Sequence, residues 1–139
     1  MILSFLDMSV ILITGGFSNN PVDGGSGTAE IYNPATDTSC LLPKAEFPGG
    51  SYHSQNEALV CGGREGNDVL TTCSVFNPPS GKWIPFNNLA QKRFAHASWD
   101  TGNEVYLIGG FGDQSKKTSE RVKMDGSVEE GFSLKYDTW

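Results

Sequence analysis

The chain has two histidines, His53 and His96, and three cysteines, Cys40, Cys61 and Cys73; these are the side chains best suited to proton transfer, thiolate attack or metal binding. Their spacing argues for structure instead. No C-x-x-C or H-x-x-x-H pattern links them, so no metal site is readable, and none is expected. The two histidines occupy about the same position in consecutive repeats. A general base is needed once, so a repeated histidine is expected to hydrogen-bond backbone where two units meet. Cys61 and Cys73 are equidistant from Asn67, which places them opposite each other on an antiparallel pair, within disulfide reach. Two readings stay open, a bridge or two small buried thiols kept reduced. With a bridge, Cys40 remains single.

Other patterns that carry chemistry are missing. Gly24-Gly25-Ser26-Gly27 is followed by no Gly-Lys-Ser/Thr, so it reads as a flexible loop rather than a phosphate cradle. There is no Gly-x-Ser-x-Gly elbow, no His-Glu-x-x-His and no calcium-loop pattern. Glu129-Glu130 sits in a polar connection and reads as solvated charge. The expectation is a protein that is not an enzyme and needs no cofactor.

The elements that position these residues are set by a repeat. Gly15-Gly16 recurs as Gly62-Gly63 and as Gly109-Gly110, a step of 47 residues each time, and each pair closes an aliphatic run: residues 10–14, 58–61 and 105–108. A period in the forties with several strands per unit is that of β-propeller blades. The bulk composition agrees, since 37% hydrophobic residues and 17 glycines describe many short strands separated by turns. Glycine is expected at the end of the second strand because a residue without Cβ lets backbone come close or take positive φ.

The middle unit parses into strands a to d over 50–55, 58–61, 73–77 and 82–86, with Asn77-Pro78-Pro79-Ser80-Gly81 turning c into d. In the third unit, strand a is read over 94–99, b over 105–108, c over 120–124 and d over 132–136. The first has b over 10–14, c over 29–33 and d over 39–42; its strand a is missing or reduced to residues 1–6. One region of three four-stranded antiparallel blades follows, at about 7–43, 49–87 and 93–139. Tyr32 and Phe76, on successive strands c, are expected to fill the layer between adjacent blades.

These marks resemble the kelch repeat: a hydrophobic strand ending in a Gly pair, an aromatic on the next strand, then Trp several residues later. Gly62-Gly63, Phe76 and Trp83 stand in that order, and Arg93 with His96 looks like the Arg and His that open a kelch strand a. The first copy departs, with Ser39 at the position matching Trp83, and the third has neither aromatic cleanly placed. The resemblance implies an all-β incomplete propeller that acts as a protein-interaction scaffold. Family propellers close with more blades, so the open flanks are expected to be covered by further blades of a longer chain or by a second copy, with 132–139 leading into the next blade. The alternative it implies is a fragment of a propeller enzyme related to copper oxidases, drawing ligands from Cys40, Cys61 or Cys73 with Tyr32, Tyr52, Tyr106 or Tyr136.

Strand direction alone puts the b–c and d–a connections on one face. They are the long ones: 17–28, 64–72 and 111–119 for b–c, 43–50 and 87–93 for d–a. Polar loops on one side of a rigid scaffold are where binding residues concentrate. The candidates are Arg64, Lys92, Arg93, Asp113, Gln114, Lys116 and Lys117. A formal net charge of −6 disfavours nucleic acid as the partner, because phosphate neutralisation supplies most of that affinity. No apolar run approaches the length of a membrane span, and no basic start or cleavage pattern of a secretory signal is present. The absence of an Asn-x-Ser/Thr sequon slightly lowers the case for a secreted protein and leaves the compartment open.

Overall fold

A computed structural model describes residues 5–6, 10–14, 29–43, 50–54, 57–77, 79–123 and 125–137. Twelve of its strands form three four-stranded antiparallel sheets, and all neighbours within each sheet are hydrogen-bonded. Sheet 1 runs β1 (Phe5–Leu6), β2 (Val10–Thr14), β3 (Ala29–Asn33), β4 (Thr38–Leu41). Sheet 2 is built from β5 (Gly50–Ser54), β6 (Glu57–Cys61), β9 (Cys73–Asn77) and β10 (Lys82–Phe86), and the loop from β6 to β9 carries a small hairpin, β7 (Arg64–Glu65) with β8 (Asp68–Val69). Sheet 3 runs β11 (Ala97–Asp100), β12 (Glu104–Ile108), β13 (Thr118–Lys123), β14 (Val128–Ser133). This is an all-β fold of propeller-type blades.

Period-2 alternation gives each strand one residue row toward the preceding sheet and one toward the next. The row Ala58, Phe76, Trp83 faces back to sheet 1 and packs with Ile31 and Leu42. Phe76 and Trp83 meet at a 5.3 Å centroid distance, and Trp83 Nε1 donates to Pro43 O at 2.9 Å. The opposite row, Leu59, Cys61, Cys73 and Val75, faces sheet 3 and packs with Val105, Leu107 and Val122. Burying one such aliphatic side chain stabilises by about 1.5–3 kcal/mol, so most of the cohesion between sheets lives in these two layers.

The same alternation gives Tyr32 the side that Phe76 takes in sheet 2, the one turned away from the following sheet. Ile31 is the residue that packs on sheet 2; Tyr32 turns to the other side, and its hydroxyl donates to Asp37 Oδ1 at 2.9 Å. Sheet 3 departs from expectation at three strands, with c spanning Thr118–Lys123 rather than 120–124. Strand a starts at Ala97 rather than residue 94, because Ala95 takes φ +52°, a left-handed conformation that interrupts an extended strand. Phe94 instead makes an isolated bridge, exchanging both backbone hydrogen bonds with Phe111 at 2.8 Å. Strand d spans Val128–Ser133 rather than 132–136. The chain reverses early, with Gly126 at φ +92°, Gly126 N–H donating to Lys123 O and Lys123 N–H to Ser127 O, while a register shift between Thr118 and Glu120 absorbs the difference.

Cys61 and Cys73 are direct register partners of β6 and β9, and their sulfurs are bonded, with Cα atoms 4.1 Å apart. Cys40 is exposed and free. A sequence separation of 12 corresponds to about 3 kcal/mol of loop-closure stabilisation. Thiol titration of the denatured, unreduced protein should therefore count one thiol; three thiols would exclude the bridge.

Candidate functional site

The connections leaving β6, β10 and β12 meet on one side of sheets 2 and 3. Backbone hydrogen bonds tie them together: Leu89 N–H to Thr71 O, Arg93 N–H to Leu70 O, and Gly63 N–H to Arg93 O. The glycine pairs make this approach possible. Gly62 (φ +64°), Gly63 (φ +104°), Gly109 (φ +66°) and Gly110 (φ +85°) all take left-handed conformations. A Cβ at Gly110 would stand 2.6 Å from Phe94 O, and one at Gly62 would overlap Arg93 O. Gly15 and Gly16 lie outside the described residues, as does the connection 17–28.

Arg93 is the main correction among the candidate binding residues. It is fully buried, at 0% exposure, and its guanidinium is used up internally. Nε donates to Glu120 Oε2 at 2.9 Å, Nη2 reaches the same oxygen at 2.8 Å and Thr118 Oγ1 at 3.3 Å, and Nη1 donates to Gly109 O at 2.8 Å and Thr118 O at 3.3 Å. The other carboxylate oxygen of Glu120 accepts from Ala90 N–H at 2.6 Å and Gln91 N–H at 3.3 Å. This knot fastens the 87–93 connection to the end of β12 and the start of β13. Sequence reasoning missed Glu120 as the partner because 27 residues separate the pair and only the fold brings them together.

The remaining candidates form a surface. Arg64 Nε donates to Gly66 O at 2.7 Å and Nη2 to Asn67 Oδ1 at 3.2 Å, which holds its guanidinium 5.8 Å from the centre of the Phe94 ring. Phe94 stacks on Phe111 at 5.3 Å, and Lys116 Nζ lies 5.4 Å from the Phe111 centroid. Two cations thus flank a half-buried aromatic pair. Phe94 and Phe111 were not foreseen; the signal was there, since each directly follows Arg93 or the Gly pair 109–110. Lys92 is exposed, and its carbonyl packs so closely on Gly112 that no Cβ fits. Asp113 and Gln114 are exposed in the bend before a short 3-10 helix over Ser115–Lys117. Lys117 pairs with Asp137 at 3.3 Å, both largely solvated.

His96 contradicts its expected role. It lies at the junction of sheets 2 and 3, against both Gly62 and Gly110, yet neither ring nitrogen has a hydrogen-bond partner. At 7% exposure, burial and then the nearby Arg93 charge lower its pKa from 6.5 to about 4. The neutral ring is therefore the form the fold accepts. The unfolded chain takes up the proton first, so this contribution is whole above pH 6.5 and is lost as pH falls toward 4. Moving from pH 7.5 to pH 5 should cost about 2 kcal/mol of unfolding free energy, read from urea titrations, and His96→Gln should flatten that slope. His53 falls on β5.

Among the described residues no group of three or more His, Cys, Asp or Glu is placed to hold a metal ion, and no helix is long and apolar enough to cross a membrane. The molecule is a stack of propeller-type blades that presents a cohesive loop surface at one end. No family model matches the chain. It is 32% identical over 84 residues to Kelch-like protein 40 of Xenopus laevis and of Xenopus tropicalis, a match covering 58% of this chain and 14% of each relative. A solved structure titled "Structure of YjhT" superposes on 96% of this chain with a TM-score of 0.78 at 15% identity, a likeness of fold alone, and the chain spans 52% of its length.

Proposed function

We propose that this protein is a non-catalytic interaction scaffold of the kelch type that recruits a protein partner through the loop surface of sheets 2 and 3. The observation that carries the reading is the Arg64–Phe94–Phe111–Lys116 cluster: a stacked aromatic pair between two cations, next in the chain to the connection that the buried Arg93–Glu120 knot fastens. Aromatic and Arg side chains on rigid supports are what hot spots are made of, because they lose little freedom on binding. The partial identity to Kelch-like protein 40 points to the same class.

The test is cross-link-assisted capture with three proteins: wild type, Arg64→Glu/Lys116→Glu, and Lys82→Glu at the start of β10, on the opposite end of sheet 2. Specific partners should be lost with the double variant and retained with Lys82→Glu. Capture that ignores the double variant would move recognition elsewhere.

A further inference from the structure

The face of sheet 3 turned away from sheet 2 carries an aromatic strip with no described sheet over it. Trp99, 57% exposed, stacks on Tyr106 with centroids 5.6 Å apart, and Tyr106 meets Phe132, 43% exposed, at 5.8 Å. The repeat register shows what such a face does one sheet earlier. Leu59 and Cys61 stand 47 residues before Tyr106 and Ile108, and Phe86 stands 46 before Phe132. In sheet 2 those positions are covered by Val105, Leu107 and Val122 of the following sheet. The charges beside the strip neutralise one another: Glu129 binds both Arg121 and Lys123, and Arg121 also reaches Glu104 at 3.7 Å. An apolar neighbour would meet no unpaired charge from this network. At the other end of the stack, Tyr32 and Leu41, the latter 75% exposed, occupy the face of sheet 1 turned away from sheet 2.

We propose that the open face of sheet 3 docks the open face of sheet 1 of a second copy of this chain, and reciprocally, so that two chains close one ring of six sheets. Two observations choose this occupant. The two open faces are opposite ends of one stack, so the contact repeats the sheet 1 to sheet 2 and sheet 2 to sheet 3 packing already present. A head-to-tail contact of this kind ends in a closed assembly only when the rotation completes a turn. The chain superposes on 52% of a solved chain of the same fold, so two copies match that fold's full extent, and six blades lie within the usual range of propellers.

Sedimentation velocity over a dilution series of the 139-residue chain tests it. A species of twice the chain mass is expected, and Trp99→Glu/Phe132→Glu should convert it to monomer. Hydrogen exchange gives a readout that needs no variant: protection of β4 and β11 should rise with concentration together. A monomer throughout the series, an assembly larger than two copies, protection that grows only in other strands, or a dimer that persists in the folded double variant each overturns the proposal.

Discussion

Glu120→Ala is expected to lower the unfolding free energy by roughly 3–5 kcal/mol, seen as a reduced urea midpoint with little change in slope. The magnitude follows from what is left behind. Arg93 has five N–H donors, and all are engaged at 0% exposure. Removing the carboxylate strands a buried positive charge and also orphans the amides of Ala90 and Gln91. Glu120→Gln should be milder, because an amide oxygen can still accept, though only the carboxylate compensates the charge. The double change Arg93→Met/Glu120→Leu should recover much of the loss, since a matched apolar pair avoids the desolvation cost of both ions. If Glu120→Ala costs less than about 1 kcal/mol, the pair is not buried as described. The same variant should loosen the loop surface of sheets 2 and 3, because the amides released belong to the 87–93 connection.

Gly62→Ala should destabilise by roughly 2–5 kcal/mol, and the comparison with Gly66→Ala isolates the cause. Both residues have nearly the same positive φ, +64° and +58°, so both substitutions strain the backbone by about 1–2 kcal/mol. They differ in what a methyl group meets. At Gly66 nothing lies within 4 Å, whereas at Gly62 the new carbon overlaps the backbone carbonyl of Arg93, with His96 Cε1 close behind at 3.4 Å. A backbone oxygen on the fastened 87–93 segment cannot step aside as a flexible side chain could. Thermal unfolding of the two variants should show a clearly larger fall for Gly62→Ala. Equal effects would mean that φ alone, and not close approach, explains the glycine.

Sheet 2 was legible almost to the residue because each boundary has a local cause. Gly81 at φ +62° ends the c–d turn, and Gly62-Gly63 end strand b. Where a boundary depends on long-range contact, prediction slipped. Ala95 has no sequence mark of a left-handed residue, so the start of β11 was placed too early, and the bulge near Ser119 hid the true register of β14. The same division runs through the candidate site. The polar loop residues Arg64, Lys92, Asp113, Gln114, Lys116 and Lys117 lie on the connections expected, while Arg93, read as one more loop cation, is interior.

What the linear order of residues determined is the repeating unit. A glycine pair every 47 residues, left-handed at Gly62-Gly63 and Gly109-Gly110, and alternating apolar runs between turn residues are local demands of the backbone, and they specify successive antiparallel sheets. Which side chains face solvent was decided only when those sheets stacked. Arg93 and Glu120, or Phe94 and Phe111, are far apart along the chain, and their burial or exposure depends on the close approach of connections from different sheets. Packing energy between sheets is a property of pairs of surfaces, and no single stretch of sequence contains both.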